Sequence, residues 1–272
     1  MSNRAIPILA AVLLLGSAAA WYWWPHLAPT ATPPPMVAAP PPPEAEPAIA
    51  NPLPPPAAAD QALPALAASD APFNAAVLAL PGARALEHYL QPENLIRHLV
   101  ATVDNLPRHR LAVELRPLTA TAGALQVSGD EQQATLDERN AARYAPVIAV
   151  LRTLDMHTVS ALYQRYYPLF QRAYEDLGYP QGYFNDRLVT VIDHLLATPQ
   201  PAAPLALVRP KVFWEYADPE FEARSAGQKL LLRLGADNGA VVRARLRELR
   251  ALVARPGSGV TSSAPPSNLS TP

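Results

Sequence analysis

The chain has 272 residues, a formal net charge of −1, a sequence pI near 6.6 and no cysteine. The near-neutral balance argues against nucleic-acid binding driven by long-range electrostatics, and the missing cysteines exclude disulfides, Cys-ligated zinc, thiol catalysis and lipidation on cysteine. The 33 prolines exceed the ordinary share and cluster between Pro25 and Pro64, which leaves about 190 residues for one folded domain or two small ones.

Residues 5–24 (AIPILAAVLLLGSAAAWYWW) carry no charge and as a helix would measure about 30 Å, enough to cross a bilayer core. Arg4 flanks them, and no Lys or Arg occurs again until Arg84. The positive-inside rule therefore places the N-terminus in the cytoplasm and the remainder beyond the membrane. Trp21, Tyr22, Trp23 and Trp24 form the aromatic belt expected where such a segment leaves lipid. The small residues Ala18, Ala19 and Ala20 also fit a signal-peptide cleavage site, and both readings export the rest of the chain.

Residues 25–66 read as a Pro/Ala-rich, disordered linker, with proline runs at 33–35, 40–43 and 54–56. Proline lacks the amide donor and fixes φ, so polyproline II remains, with a reach of about 130 Å when fully extended. It serves as a passive spacer or, in a PxxP-like stretch, as a ligand itself. Residues 256–272 are an uncharged Ser/Pro tail, expected to be disordered.

Residues 67–255 carry the folded domain, and the helical period dominates there. Ser69 or Asp70 caps a first helix with Phe73, Val77, Leu78 and Leu80 on its apolar face, stopped by Pro81-Gly82. Leu95, Ile96, Leu99, Val100 and Val103 step at helical spacing up to Pro107. Residues 111–115 and 125–127 suit short strands, with a turn at 128–130 leading to residues 134–136. Helix resumes after a cap at Asp137, with Pro146 as a break or a fresh start. Asp155 or Thr158 opens the next helix, which Pro168 should kink or divide before Gly178 ends it. Residues 184–196 form another amphipathic helix, and residues 212–216 a short strand after a proline-punctuated loop. Asp218-Pro219 opens a helix and Ser225-x-x-Gln228 reads as a capping box for the next, closed by Gly235. A last helix from about Gly239 places Val242, Leu246, Leu249 and Val253 at 4-3-4 spacing. The expected fold is mainly α, a compact domain of about seven to nine helices with at most one small β-hairpin.

Chemistry is sparsely signposted. His26, His88, His98, His109, His157 and His194 form no H-E-x-x-H and no i,i+3 or i,i+4 pair, so no local zinc motif exists, and no cofactor or metal is implied. Asp193 and His194 are sequence neighbours that face different sides of a helix. Ser225-Ala226-Gly227-Gln228-Lys229 resembles the end of a phosphate loop but lacks its leading glycine and strand, which favours the capping reading. In the last helix Arg243, Arg245, Arg247, Arg250 and Arg255 face only Glu248, either as a solvated face or as a basic patch for an anionic partner. Eight aromatics fall between Tyr163 and Phe184, as core or as binding rings. The candidate binding surface is Tyr179, Tyr183, Asn185, Asp186, Arg187, Arg243, Arg247 and Arg250.

Five runs carry a resemblance: Val103-Asp104-Asn105-Leu106-Pro107-Arg108, Tyr167-Pro168-Leu169-Phe170, Leu177-Gly178-Tyr179-Pro180, Phe184-Asn185-Asp186-Arg187 and Ser225-Ala226-Gly227-Gln228-Lys229. On these the chain resembles a bacterial membrane-anchored domain-of-unknown-function family (number 3014), over roughly residues 66–254. The resemblance implies a Gram-negative envelope protein: an inner-membrane span at residues 5–24, a Pro-rich stretch, then a periplasmic domain. It transfers no catalytic or binding residue. Two function classes are consistent with these features. The first is a non-enzymatic adaptor that binds an envelope protein or wall polymer at a distance from the membrane. The alternative is an envelope enzyme acting on glycan or peptide through a dispersed site drawn from Asp104, Asp186, Asp193 and His194. Oligomeric state is not legible in the sequence.

Overall fold

Helix signals in the sequence map onto helices in space with few exceptions. The computed structural model describes residues 48–54, 62–110, 112–119, 123–130, 133–201 and 204–254, all within one compact unit. Residues 5–24, most of the Pro-rich stretch and the 256–272 tail lie outside the described residues. Among the described residues no helix is long and apolar enough to cross a membrane.

Among the described residues eight α-helices carry the fold: α1 (Asp70–Leu78), α2 (Leu95–Asn105), α3 (Ala145–Thr153), α4 (Met156–Asp176), α5 (Phe184–Leu196), α6 (Pro219–Glu222), α7 (Ala226–Arg233) and α8 (Gly235–Val253). α4 lies at the centre, packed between α2 and α8, with α5 closing the bundle against both α2 and α8. The apolar stripe of α2 supplies Leu95, Ile96 and Val100, each 1 % exposed, to a core completed by Phe73, Tyr166, Phe170, Phe184, Ile192 and Val253. All of the clustered aromatics except Tyr183 belong to or border that core. Phe170 and Phe184 stack 5.7 Å apart, and Phe73 meets Tyr166 edge-on at 4.9 Å. Burying a side chain of this size contributes about 1.5–3 kcal/mol.

Several helix ends follow from single residues. Asp155 accepts the amides of His157 and Thr158 at 3.1 Å and starts α4. Pro168 neither divides nor ends α4, which runs through it for 21 residues. The neighbouring Leu169 and Phe170 are both buried, and the packing they gain outweighs the one backbone bond that proline removes. Past the end of α4, Gly178 takes φ +115°, a left-handed value that a side chain would strain. Asp137 caps a 3-10 turn (Glu138–Tyr144) that feeds α3, so Pro146 marks a fresh start.

The β content exceeds one hairpin. β1 (Val127–Ser128), β2 (Ala134–Leu136), β3 (Ala206–Val208) and β4 (Glu215–Tyr216) form a four-stranded antiparallel sheet in the order β1-β2-β3-β4. Ala134 pairs with Leu207 across the long excursion through α3, α4 and α5. Under the sheet lies a second core of Ala134, Leu205, Leu207, Tyr216 and Leu232. The expectation of a strand at 111–115 is corrected: Val113–Leu115 is a 3-10 turn. Of residues 212–216 only Glu215 and Tyr216 pair, and Val212 and Phe213 stand 68 % and 79 % exposed at the tip between β3 and β4.

Candidate functional site

The C-terminus of α2 places Asp104 inward, where it is 1 % exposed. Its Oδ1 accepts Arg187 Nε at 2.9 Å, and its Oδ2 accepts Arg108 Nη2 at 2.6 Å and the Tyr179 hydroxyl at 3.3 Å. Arg187 also donates through Nη2 to the Asp104 carbonyl at 2.8 Å, which ties α5 to α2. A buried carboxylate is tolerated because two guanidinium groups and a phenol satisfy it. The ring of Tyr179 stacks on Tyr174 at 4.5 Å, and Asp104 holds the Arg108 guanidinium above its usual pKa by hydrogen bond and charge.

The Ser225–Lys229 run docks beside this network. Ala226 N–H donates to the Arg108 carbonyl at 2.7 Å and Gly227 N–H to the Leu106 carbonyl at 2.9 Å. Gly227 is required by close approach: a Cβ there would lie 2.7 Å from Leu195 Cδ2 and 3.0 Å from the Leu106 oxygen. Ser225 Oγ accepts Gln228 N–H at 3.2 Å, the first half of a capping box. The second half is not made, because Gln228 Nε2 reaches the His194 carbonyl at 3.1 Å instead.

Asn185 and Asp186 meet a segment of the Pro-rich stretch. Asp186 accepts Ala50 N–H at 3.0 Å through Oδ2, and Asn51 N–H at 2.6 Å and Asn51 Nδ2 at 3.0 Å through Oδ1. Asn185 is fully buried and donates to both the Asn51 carbonyl at 2.7 Å and the Val253 carbonyl at 2.9 Å. Its Oδ1 accepts the Tyr163 hydroxyl at 3.2 Å, so one amide joins residues 50–53, α4, α5 and the end of α8. Leu53 and Leu63 pack onto the main core beside it. Residues 48–54 thus form a strap laid against the domain, attached through the Asn185-Asp186 pair.

The remaining candidates are dispersed. Arg250 pairs with Asp193 on α5 at 2.5 Å and 2.9 Å, Arg247 is exposed, and Arg243 is 4 % exposed beside a cavity. Tyr183 precedes α5, where the backbone is held by Gln171 rather than by a capping side chain. Gln171 accepts Phe184 N–H at 2.9 Å and donates to the Gly182 carbonyl at 2.8 Å. Gln171 carried no signal in the sequence, since a glutamine inside a helix looks like any exposed polar position.

The groups of the enzyme alternative form no direct acid–base pair among the described residues, although Arg187, which binds Asp104, also acts on His194 through its charge. Asp104, Asp186 and Asp193 are engaged as above by different partners. His194 Nε2 lies 2.8 Å from Ser225 Oγ, and burial first, then the charges of Arg187 and Arg224, push its pKa below the usual value. That Ser–His contact has no acid on the second ring nitrogen among the described residues, and its serine is 5 % exposed and committed to a helix cap.

A family profile described as a protein of unknown function (DUF3014) matches residues 95–250, more than half of the chain, and the chain belongs to that family. No curated protein and no solved structure matches it.

Proposed function

We propose that this DUF3014 protein is a single-pass inner-membrane protein that presents a periplasmic helical domain as a non-enzymatic adaptor for an envelope protein or a wall polymer. The reading begins from the uncharged span at residues 5–24 and its charge asymmetry. The observation that carries the non-enzymatic half is the engagement of Asp104, Asp186, Asp193 and His194 in structural contacts. Each is held by its own structural partner, so no pair is left to act as acid and base on one substrate.

The strap refines the tether. With Ala50 and Asn51 held by Asp186, the stretch available as a spacer shortens to residues 25–49, a polyproline reach of about 80 Å. The contact surface includes the tip between β3 and β4, where Val212 and Phe213 are exposed next to Arg209 and Lys211. An aromatic with a cationic neighbour at a protruding turn suits insertion into a partner groove.

Topology is testable cleanly because the chain has no native cysteine. Ser2→Cys and Ser262→Cys variants in intact cells are treated with a membrane-impermeant maleimide after permeabilising the outer membrane. Labelling of Ser262→Cys alone is expected. Labelling of Ser262→Cys only after complete lysis overturns the reading.

A further inference from the structure

A cavity of about 260 Å³ opens between β2, the residues Gln200, Pro201, Pro204 and Leu205, the end of α7 and the start of α8. Its walls are mainly apolar, from Leu136, Pro204, Leu205, Leu231 and Leu232. The charged groups that line it are Arg233, Arg243, Asp137 and Glu138. Asp137 is neutralised within the protein: Arg139 and Ser128 hydrogen-bond its carboxylate at 2.6 Å and hold it well below the usual carboxylate range.

Arg243 is not neutralised. It is only 4 % exposed, its Nε has no hydrogen-bond partner, and no hydrogen bond or ion pair among the described residues engages its guanidinium. An arginine does not shed its proton to escape burial, so an unpaired buried guanidinium is a standing cost that an anion would remove. Burial and then the neighbouring Arg247 charge both disfavour its cationic form, the opposite of what an acidic partner produces.

Two further features point the same way. Gly239, one turn earlier on α8, leaves the room that the guanidinium occupies, since a Cβ there would lie 2.7 Å from Nη1. Gly235 and Ala236, the first residues of the 19-residue α8, also line the cavity. No side chain caps that helix start, whose first amides have no intrahelical acceptor and carry the positive end of the helix dipole.

We propose that this cavity is a binding site for an organic carboxylate with a short apolar body, its carboxylate held by Arg243 with the α8 N-terminus, and its body packed on the leucine and proline walls. The fork of Arg243 suits bidentate capture of a planar carboxylate, and the apolar walls disfavour a fully hydrated inorganic anion. The same chemistry is offered by a free small acid and by the C-terminal carboxylate of a peptide.

The full-length chain, in a non-ionic detergent, is titrated by thermal shift and calorimetry with four probes: 4-methylpentanoate, its neutral amide, acetyl-Gly-Ala-Leu with a free C-terminus, and inorganic phosphate. A carboxylate probe at roughly ten times its Kd is expected to raise Tm by about 3–6 °C, and the amide to have no effect. Arg243→Met is expected to weaken carboxylate binding by about 10- to 100-fold, with partial recovery in Arg243→Lys. Arg243→Met should itself be no less stable than the parent without ligand, because it removes an unpaired buried charge. Binding of the peptide but not the free acid identifies a peptide terminus as the source, and the reverse identifies a small metabolite. The proposal is overturned by equal binding of acid and amide, by response to phosphate alone, by response to none of the probes, or by carboxylate binding that survives in Arg243→Met.

Discussion

Replacing Asp186 by Asn should release the strap while leaving the domain folded. The carboxylate accepts three N–H groups from Ala50 and Asn51 at 2.6–3.0 Å. Hydrogen bonds to a charged acceptor contribute about 1.5–3 kcal/mol each when buried, but one of these contacts is open to solvent and the other two are half-buried. Asn retains one acceptor oxygen and turns its NH₂ towards backbone donors, so a net loss of about 1–2 kcal/mol is expected, a factor of about 5–30 in the opening equilibrium. Amide hydrogen exchange at Ala50 and Asn51 should accelerate by that factor, and global stability read from the urea transition should fall by no more than the same amount, about 1–2 kcal/mol. Asn185→Ala is the contrasting case. It strips a donor from the carbonyl of Val253, a residue with no exposure, and a partner from the Tyr163 hydroxyl, and should lower global stability by about 2–4 kcal/mol. Unchanged exchange at residues 50 and 51 in Asp186→Asn would show that the carboxylate does not hold the strap.

Two other perturbations probe the α5–α7 contact. Gly227→Ala gains helix propensity of about 1 kcal/mol, yet its methyl would meet Leu195 Cδ2 at 2.7 Å and the Leu106 carbonyl at 3.0 Å. Overpacking against backbone should win, giving a net loss of about 1–2 kcal/mol and a Tm lower by several degrees; a raised Tm would contradict the close approach. His194 has a folded pKa below its usual value of 6.5, so the fold favours the neutral ring and the unfolded chain binds the proton more readily. Its contribution is therefore complete above about pH 6.5 and is lost as pH falls through the lower folded value. His194→Gln should flatten the stability profile in that window, and an unchanged slope would refute the assignment.

Several helices were legible because they carry their own punctuation: Asp155, Asp218 and Ser225 as caps, Gly178 and Gly235 as stops, and an apolar stripe on α2 that needs no partner to be recognised. β3 was not legible. A three-residue strand between Pro204 and Pro210 is too short for alternation to register, and its pairing with Ala134 spans more than seventy residues. By sequence the aromatic run suits core or surface, and packing within a 21-residue α4 places most of it in the core. Asn185 and Asp186 lay in one of the family-like runs, but their task could not be inferred from it. Their partners are Ala50 and Asn51, more than 130 residues away in a stretch whose composition reads as linker. By sequence Arg243 is indistinguishable from the other arginines of α8, because charge counting does not separate a solvated guanidinium from a buried one; its 4 % exposure does.

The adaptor reading is tested most directly by photocrosslinking in living cells, with p-benzoylphenylalanine in place of Phe213 in the full-length chain and, separately, of the exposed Arg247. The account predicts one dominant envelope partner captured from Phe213, and loss of that adduct when Val212 and Lys211 are both changed to serine in a protein that remains folded. Reproducible absence of any adduct from both positions, with the protein abundant and exported, would contradict it.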